Sequence, residues 1–177
     1  MASAEQIIAA LVAKFPDRSF EAKPLLMRGN QLGDQFFVRV EPADMIEALT
    51  FLRDDPATRF EQLVDLTCVD YLDFPDAADR YGVIYSLLSH THNHRLWVKV
   101  FVNDPSPSLA SIVGIWKGAD WMEREVFDMF GIRFTGHPDL RRILTWDGFE
   151  AHPLRKDYPL RGRGERENYQ IVTRDSA

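Results

Sequence analysis

The sequence predicts an α+β fold, with helices on one face of a mostly antiparallel or mixed five-stranded sheet. Short helices and an extended irregular C-terminal segment are expected to follow this unit. Three observations predict it. Apolar residues recur at helical spacing in two early stretches, β-rich runs separated by turn residues fill much of the chain up to residue 105, and no period is recognisable from Gly136 onward.

The first helix is predicted by Ser3 and Gln6, which form a capping box, and by apolar residues at helical spacing that end at Pro16. A strand is expected near residues 19–27. The glycine- and asparagine-containing stretch 28–34 then predicts a turn.

A second strand follows this turn, because Phe36, Val38 and Val40 alternate with their neighbours. Pro42 suits the first position of a second helix. The apolar face of that helix consists of Met45, Ile46, Leu49 and Leu52.

Three further strands are predicted within residues 63–72, 81–89 and 96–102. The first is apolar at nearly every position, which indicates a strand in the middle of the sheet. The other two flank a polar turn and indicate a hairpin. In the last strand, one face holds Leu96, Val98, Val100 and Val102, and the other holds Trp97, Lys99 and Phe101.

Beyond Pro105 the pattern changes. Ser106 and Pro107 are expected to cap a short helix, and Asp120 with Glu123 to form a cap-like pair for another helix. Gly131 is predicted to end that helix.

The chain is therefore divided into an α+β domain at 1–105, a helical and irregular partner-docking segment at 106–160, and an extended tail at 161–177. An irregular stretch of about forty residues is uncommon inside a compact domain. Such a stretch is more often functional or ordered on a partner.

Composition excludes several functions. The net charge of −6 argues against a nucleic-acid binder. The single cysteine, Cys68, allows no intrachain disulfide and no all-cysteine iron–sulfur site. The first apolar stretch lacks the features of an export signal, and the run around 109–116 is far shorter than the roughly 20 residues of a membrane helix. A cytosolic location is expected, with membrane contact only through partners.

His90, His92 and His94 alternate within the predicted hairpin turn. Extended backbone would place three imidazoles on one face, and imidazoles are common metal ligands. A structural zinc site requires four well-placed ligands, and the turn breaks the alternation. The favoured interpretation is an exposed polar turn, and metal binding stays open as an alternative.

Charged residues after residue 120 have two open interpretations. Arg124 and Asp128 are four residues apart on a helix and form a solvated pair, or Arg141 and Arg142 pair with helix carboxylates and hold the following turn. The two His-Pro pairs have no nucleophile beside them, so no catalytic residue is predicted.

The blocks at 123–132, 136–144 and 152–160 resemble, in order and spacing, the signature of the complex I 30-kilodalton subunit family. The resemblance covers nearly the whole chain. One departure is Ala151, where the family pattern has glycine before the second His-Pro. An alanine at a positive φ would cost about 1 kcal/mol.

This resemblance implies a non-catalytic subunit of a proton-pumping NADH:quinone oxidoreductase (a translocase), peripheral at the cytoplasmic face of the bacterial inner membrane. It implies no cofactor or metal bound by this chain, with FMN, iron–sulfur clusters and quinone in partner subunits. The implied partners are the 49-kilodalton quinone-site subunit and other peripheral-arm subunits. The implied interface residues are Glu123, Arg124, Glu125, Asp128, Phe130, His137, Pro138, Arg141, Arg142, His152, Pro153, Arg155, Lys156, Asp157 and Tyr158.

Alternatives remain. Membrane-bound hydrogenases and the ferredoxin–plastoquinone enzyme use similar subunits. Two alternatives belong to other functional classes. One is a small independent metal-binding protein using His90, His92 and His94, and the other is a binding module without a link to respiration.

Overall fold

A computed structural model describes residues 4–26 and 32–164. The predicted order of helix, two strands, helix and three strands is confirmed. The elements are α1 (Ala4–Lys14), β1 (Glu21–Leu26), β2 (Leu32–Arg39), α2 (Met45–Asp54), β3 (Gln62–Asp70), β4 (Tyr81–Ser89), β5 (His94–Val102), β6 (Ser108–Ala110), α3 (Ala119–Phe130) and β7 (Arg133–Thr135).

Strands β1 to β5 form the predicted mixed five-stranded sheet, in the order β1-β2-β5-β4-β3. Only β2 and β5 pair in parallel within this sheet. The predicted hairpin of β4 and β5 is confirmed. The prediction that residues 63–72 lie mid-sheet is wrong, because β3 forms an edge, where every second residue from Asp65 to Val69 is exposed.

The two faces of this sheet differ. The inner face carries side chains such as Val38, Tyr85 and Val98, which are fully buried beneath the helices. The Tyr85 hydroxyl, for example, reaches the Met45 sulfur of α2. The outer face carries Trp97, Lys99 and Phe101, as predicted, together with the β2 and β4 side chains that alternate with the core.

Two predicted boundaries were wrong. Gly33 and Asp34 lie within β2 and not in a turn, because the β1–β2 hairpin stays paired as far as Leu26 and Leu32. Helix α2 begins at Met45, because the amide of Asp44 donates to the Glu41 carbonyl in a preceding turn. Ser3 and residues 28–30 lie outside the described residues.

The short helix predicted after Ser106 and Pro107 is also wrong. Residues 108–110 form β6, which pairs in parallel with β7. The Pro107 carbonyl accepts a hydrogen bond from the Arg133 amide, so this backbone forms part of the β6–β7 strand pair and not a helix. The apolar residues that predicted a helix lie in a strand and in the turn after it, and their side chains are buried there. They are Leu109, Ile112, Val113 and Trp116.

Helix α3 ends as predicted but begins differently. Gly131 adopts φ +77° at the C-terminal cap, a conformation that glycine accepts without steric cost. The N-cap is Gly118 and provides no side-chain hydrogen bond, so the predicted Asp120 and Glu123 cap is wrong. Asp120 lies in the first turn, while Glu123 is fully buried and accepts from the Ile112 amide.

The buried core includes side chains from both sides of residue 105, such as Val100 and Val126. The division at 105 and 160 stays a prediction, and most of the predicted tail lies outside the described residues. None of the helices in the described ranges is long and apolar enough to cross a membrane.

Candidate docking site

The C-terminal segment, residues 136–164, is held against α3 by one buried carboxylate. Asp128 Oδ2 accepts the backbone amides of Ile143, Leu144 and Thr145 at 2.8–3.0 Å. Its Oδ1 accepts from Arg142 Nη1 at 2.6 Å and from the Thr145 hydroxyl. Consecutive amides converging on one carboxylate form an anion nest, so this aspartate fixes the path of the segment.

This environment also sets the ionisation of Asp128. Burial acts to raise the pKa of its carboxyl. The hydrogen bonds from the Thr145 hydroxyl and from three backbone amides outweigh burial and lower the pKa to about 2. Asp128 is therefore a carboxylate at neutral pH, although its side chain is fully buried.

A second group of contacts covers the C-terminal end of α3. His152 Nδ1 lies 2.9 Å from the Asp128 carbonyl oxygen, the Leu154 amide donates to the Met129 carbonyl, and Arg155 Nε donates to the Phe130 carbonyl at 2.6 Å. Carbonyls that a helix end leaves without partners are thus satisfied from the His-Pro block. Arg155 also places a cation at the negative end of the helix.

A third attachment joins the segment to the sheet. Asp70, fully buried at the end of β3, accepts from the Lys156 amide at 2.8 Å and pairs with Arg80. Arg80 pairs in turn with Asp157 at 2.9 Å and with Asp104. Burial opposes ionisation of Asp70, but hydrogen bonds from Arg80 and from the Lys156 and Leu72 amides lower its pKa.

Of the two open interpretations, the pair of Arg124 with Asp128 does not form, and the alternative is confirmed for Arg142 but not for Arg141. Arg124 donates to the carbonyls of Arg141 and Arg142, because Asp128 is occupied by the nest. Arg142 pairs with Asp128, whereas the Arg141 side chain is exposed and pairs with Asp139.

The buried side chains of Glu123 and His137 are neighbours in a separate group of contacts. His137 Nδ1 accepts the Asp139 amide, and its Nε2 lies 3.1 Å from the Asp120 carbonyl and 4.0 Å from Glu123 Oε2. Burial raises the pKa of Glu123, despite hydrogen bonds from Ser111 and Ile112. The contact of His137 with the Asp120 carbonyl fixes the turn after β7 to the start of α3.

The segment held in this way presents apolar side chains to solvent. The side chains of Leu144, Leu154 and Leu160 are 63%, 52% and 104% exposed. Leu144 and Leu160 border an open groove of about 660 Å³ that is also lined by Trp146, Phe149 and Tyr158. Exposed apolar side chains on a firmly attached loop are typical of a protein interface.

Comparison with known proteins gives the family. The model described as "Respiratory-chain NADH dehydrogenase, 30 Kd subunit" matches residues 38–164. The chain belongs to this 30 kDa subunit family. The match includes the buried carboxylates and the whole C-terminal segment that they hold.

Relatives of the 30 kDa family extend this result. The chain is 56% identical to an NADH-quinone oxidoreductase subunit of Caulobacter vibrioides over 120 residues, 68% of this chain and 59% of that protein. It is 45% identical to the mitochondrial 30.4 kDa subunit of NADH-ubiquinone oxidoreductase from Neurospora crassa over 144 residues, 79% of this chain and 50% of that protein. The chain thus matches half to about three fifths of the length of these curated relatives.

Solved structures agree in fold. A trypsin-resistant fragment (1–134) of Nqo5 matches with a TM-score of 0.65 and 30% identity, over 78% of this chain and all of the fragment. A chain of the membrane-bound sulfane sulfur reductase, an archaeal respiratory membrane complex, matches with a TM-score of 0.72 and 21% identity, over 98% of this chain and 95% of that chain. The second likeness concerns the fold alone.

The 30 kDa family signature now has a structural account. Most of the predicted interface residues make contacts that attach the C-terminal segment to α3 or to the sheet. Lys156 does so through its backbone amide. Phe130 is buried, whereas Glu125 is exposed on the outer side of α3. Pro138 is exposed and Pro153 is partly exposed.

Sequence reasoning missed Asp70, Arg80 and Thr145, which all help to attach the segment. An aspartate directly after the apolar run of β3 was the available signal for Asp70. Arg80 and Thr145 lie in turns and have no comparable signal.

Ala151 differs from the family pattern without backbone strain. Apart from glycine, the positive φ angles in the described residues belong to Arg59, Asp76 and Asn93. Alanine therefore fits this position, and the expected cost of about 1 kcal/mol does not arise.

The three histidines of the β4–β5 turn have different hydrogen-bond partners, although the rings of His92 and His94 stack with centroids 5.4 Å apart. His90 contacts Gln62, His92 contacts the Pro56 carbonyl, and His94 is buried with its Nε2 2.8 Å from the Thr58 carbonyl. The exposed-turn prediction is thus wrong for His94, whose ring packs on Phe60. Among residues 4–26 and 32–164, no group of three or more potential metal ligands is found.

We expect His94 to make the fold sensitive to mild acid. Burial lowers its pKa, and its Nδ1 has no hydrogen-bond partner among the described residues, so the folded chain binds this proton less readily than the unfolded chain. This contribution to stability is present above the unfolded pKa of about 6.5 and is lost as the pH falls below it. His94→Gln keeps a donor for Thr58 but does not titrate.

Urea unfolding of the wild type between pH 7.5 and 5 should show stability falling with pH, and His94→Gln should flatten this slope. His90→Asn, at an exposed position, is the control and should keep the wild-type slope. Equal slopes in all three proteins would contradict the expectation.

Proposed function

We propose that this chain is a non-catalytic peripheral-arm subunit of a proton-pumping NADH:quinone oxidoreductase. In this proposal, the C-terminal segment docks on the 49-kilodalton quinone-site subunit. The observation that carries it is the contrast between the firm attachment of the segment at Asp128 and Asp70 and the exposure of Leu144 and Leu160. Attachment lowers the entropy cost of binding, because the contact side chains are already positioned.

The charges of the segment support an assembly role. The guanidinium groups of Arg142 and Arg155 are committed to Asp128 and to the end of α3, so they position the surface instead of meeting a substrate. Arg141 and Lys156 are exposed and can approach carboxylates of a partner at the rim of the interface.

We further propose that FMN, the iron–sulfur clusters and quinone belong to partner subunits. Cys68 is the only cysteine in the sequence, and burial raises the pKa of its thiol, which disfavours the thiolate that a cluster requires. The chain would then lie at the cytoplasmic face of a bacterial inner membrane, attached through the complex.

Placing a charge on the exposed apolar surface tests this function. Leu144→Asp and Leu160→Asp should reduce the amount of assembled enzyme about tenfold or more, because each buries a carboxylate in an apolar contact. Both side chains are exposed in the free chain, so the unfolding free energy should change by less than about 0.5 kcal/mol. Val12→Asp, at an exposed apolar position on α1, is the matched control.

The measurement is affinity purification of the N-terminally tagged chain from detergent-solubilised membranes. The readouts are NADH oxidation and the identities of the proteins that purify with the chain. Normal assembly of both variants with a reduced turnover would contradict the docking role. Recovery of hydrogenase-type partners without a flavin subunit would indicate that the chain belongs to a related enzyme complex.

A further inference from the structure

The outer face of the five-stranded sheet carries aromatic side chains that no helix within the described ranges covers. Phe37, Trp97 and Phe101 are half-buried on adjacent strands β2 and β5. Tyr71 lies against Phe101 with ring centroids 6.1 Å apart. The two rings lie so close over Gly82 that a Cβ there would be 2.9 and 3.0 Å from them.

Lys99 lies in the middle of this face. Its ammonium is 4.0 Å from the centroid of the Phe37 ring, and Ile84 faces it across the strand pair. Burial lowers the pKa of Lys99, and no carboxylate of the described residues pairs with it. The cation–π contact with the Phe37 ring compensates for part of the hydration energy that the Lys99 ammonium loses on burial.

Neighbouring cations on the same face differ in this respect. Lys23 pairs with Glu21 at 2.5 Å, and Arg39 pairs with Asp79 at 3.2 Å. Arg95, farther along β5, is exposed to water. Lys99 is thus both half-buried and, among the described residues, without a carboxylate, and it lies between Ile84 on β4 and Arg39 on β2 with Phe37 beside its ammonium.

This arrangement restricts what can cover the face. A partner that removes water from Lys99 without supplying an acceptor would bury an uncompensated charge, which is strongly unfavourable. A partner carboxylate at the same place would form a charge-assisted contact in an apolar surround, where such a contact is strong. The favoured occupant is therefore apolar at its margin and acidic at its centre.

We propose that the outer face of the sheet docks a partner protein through an apolar segment that places a carboxylate on Lys99. The face is separate from the C-terminal segment and from Asp128. The inference therefore goes beyond the proposed function, and each can fail without the other.

Zero-length coupling tests the contact directly. The tagged full chain is purified with its partners and treated with a water-soluble carbodiimide, which joins an amine to a carboxylate only where the two touch. Peptide mass spectrometry should then find Lys99 joined to an aspartate or glutamate of another protein, within an apolar stretch.

Three variants sharpen the test. Lys99→Arg keeps the charge but forms no such bond, so it should retain the partner and lose the cross-link. Lys99→Glu should lower recovery of that partner about tenfold or more, because like charges would meet in an apolar contact. Lys23→Glu makes the same charge change at the edge of the face and should leave recovery within about twofold of wild type.

A Lys99 amine that stays uncoupled and open to an amine reagent in the purified assembly would overturn the proposal. Coupling to a second copy of this chain, or unchanged partner recovery with Lys99→Glu, would overturn it as well. Loss of the NADH:quinone subunits from the preparation, with Lys99 still coupled, would count against the proposed function alone.

Discussion

Replacing Gly131 with alanine should lower the free energy of unfolding by about 3 kcal/mol or more. Two costs combine at this position. The φ of +77° strains any residue with a Cβ by about 1 kcal/mol. The new Cβ would also lie 2.5 Å from Arg155 Nη2 and 2.6 Å from the His152 ring, so both groups would have to shift from their contacts at the end of α3.

Gly136→Ala separates these two costs. Gly136 has a similar φ of +83°, but nothing in the described ranges lies within 4 Å of a Cβ built on it. This control should lose only about 1 kcal/mol, as strain. Urea unfolding of both variants gives the comparison. A loss for Gly131→Ala no larger than that for Gly136→Ala would mean that the contacts of His152 and Arg155 contribute nothing to stability.

The sequence predicted the α+β layer well, because strands and helices leave periodic signals. The alternation of Leu96 to Val102 separated the inner from the outer face correctly. Edge and central strands are harder to separate. In β3 the exposed residues Asp65, Thr67 and Val69 alternate with buried ones, and the apolar content of the whole run hides this one-sided pattern. Its partners along the sheet are decided by long-range pairing that its own residues do not encode.

The path of the C-terminal segment was only partly predictable. Pairing of Arg141 and Arg142 with the helix carboxylates was one of two open interpretations. The ion pair between Arg142 and Asp128 confirms it for Arg142. The three amides around Asp128 leave no sequence signal, because any residue except proline supplies a backbone N–H. A segment without periodicity can still be ordered when one buried acceptor collects its amides.

Replacing Asp128 with asparagine should destabilise the fold by about 3–5 kcal/mol. The amide has one acceptor oxygen in place of two, and its NH₂ group would face amides that also donate. Arg142, whose side chain is only 14% exposed, would lose its counter-charge. Glu125→Gln, on the exposed side of the same helix, should change stability by less than about 0.5 kcal/mol.

The pH dependence of this difference identifies the carboxylate as its cause. The folded pKa of Asp128 is lowered from 3.8 to about 2, so the unfolded state binds the proton more readily. The contribution is therefore present above about pH 4 and is lost as the pH falls toward 2, with a size on the order of 2 kcal/mol. Unfolding of wild type and Asp128→Asn from pH 7 to 2.5 should show the two proteins converging only below pH 4. A stability difference that stays constant over this range would mean that the shape of the side chain, and not its charge, holds the segment on α3.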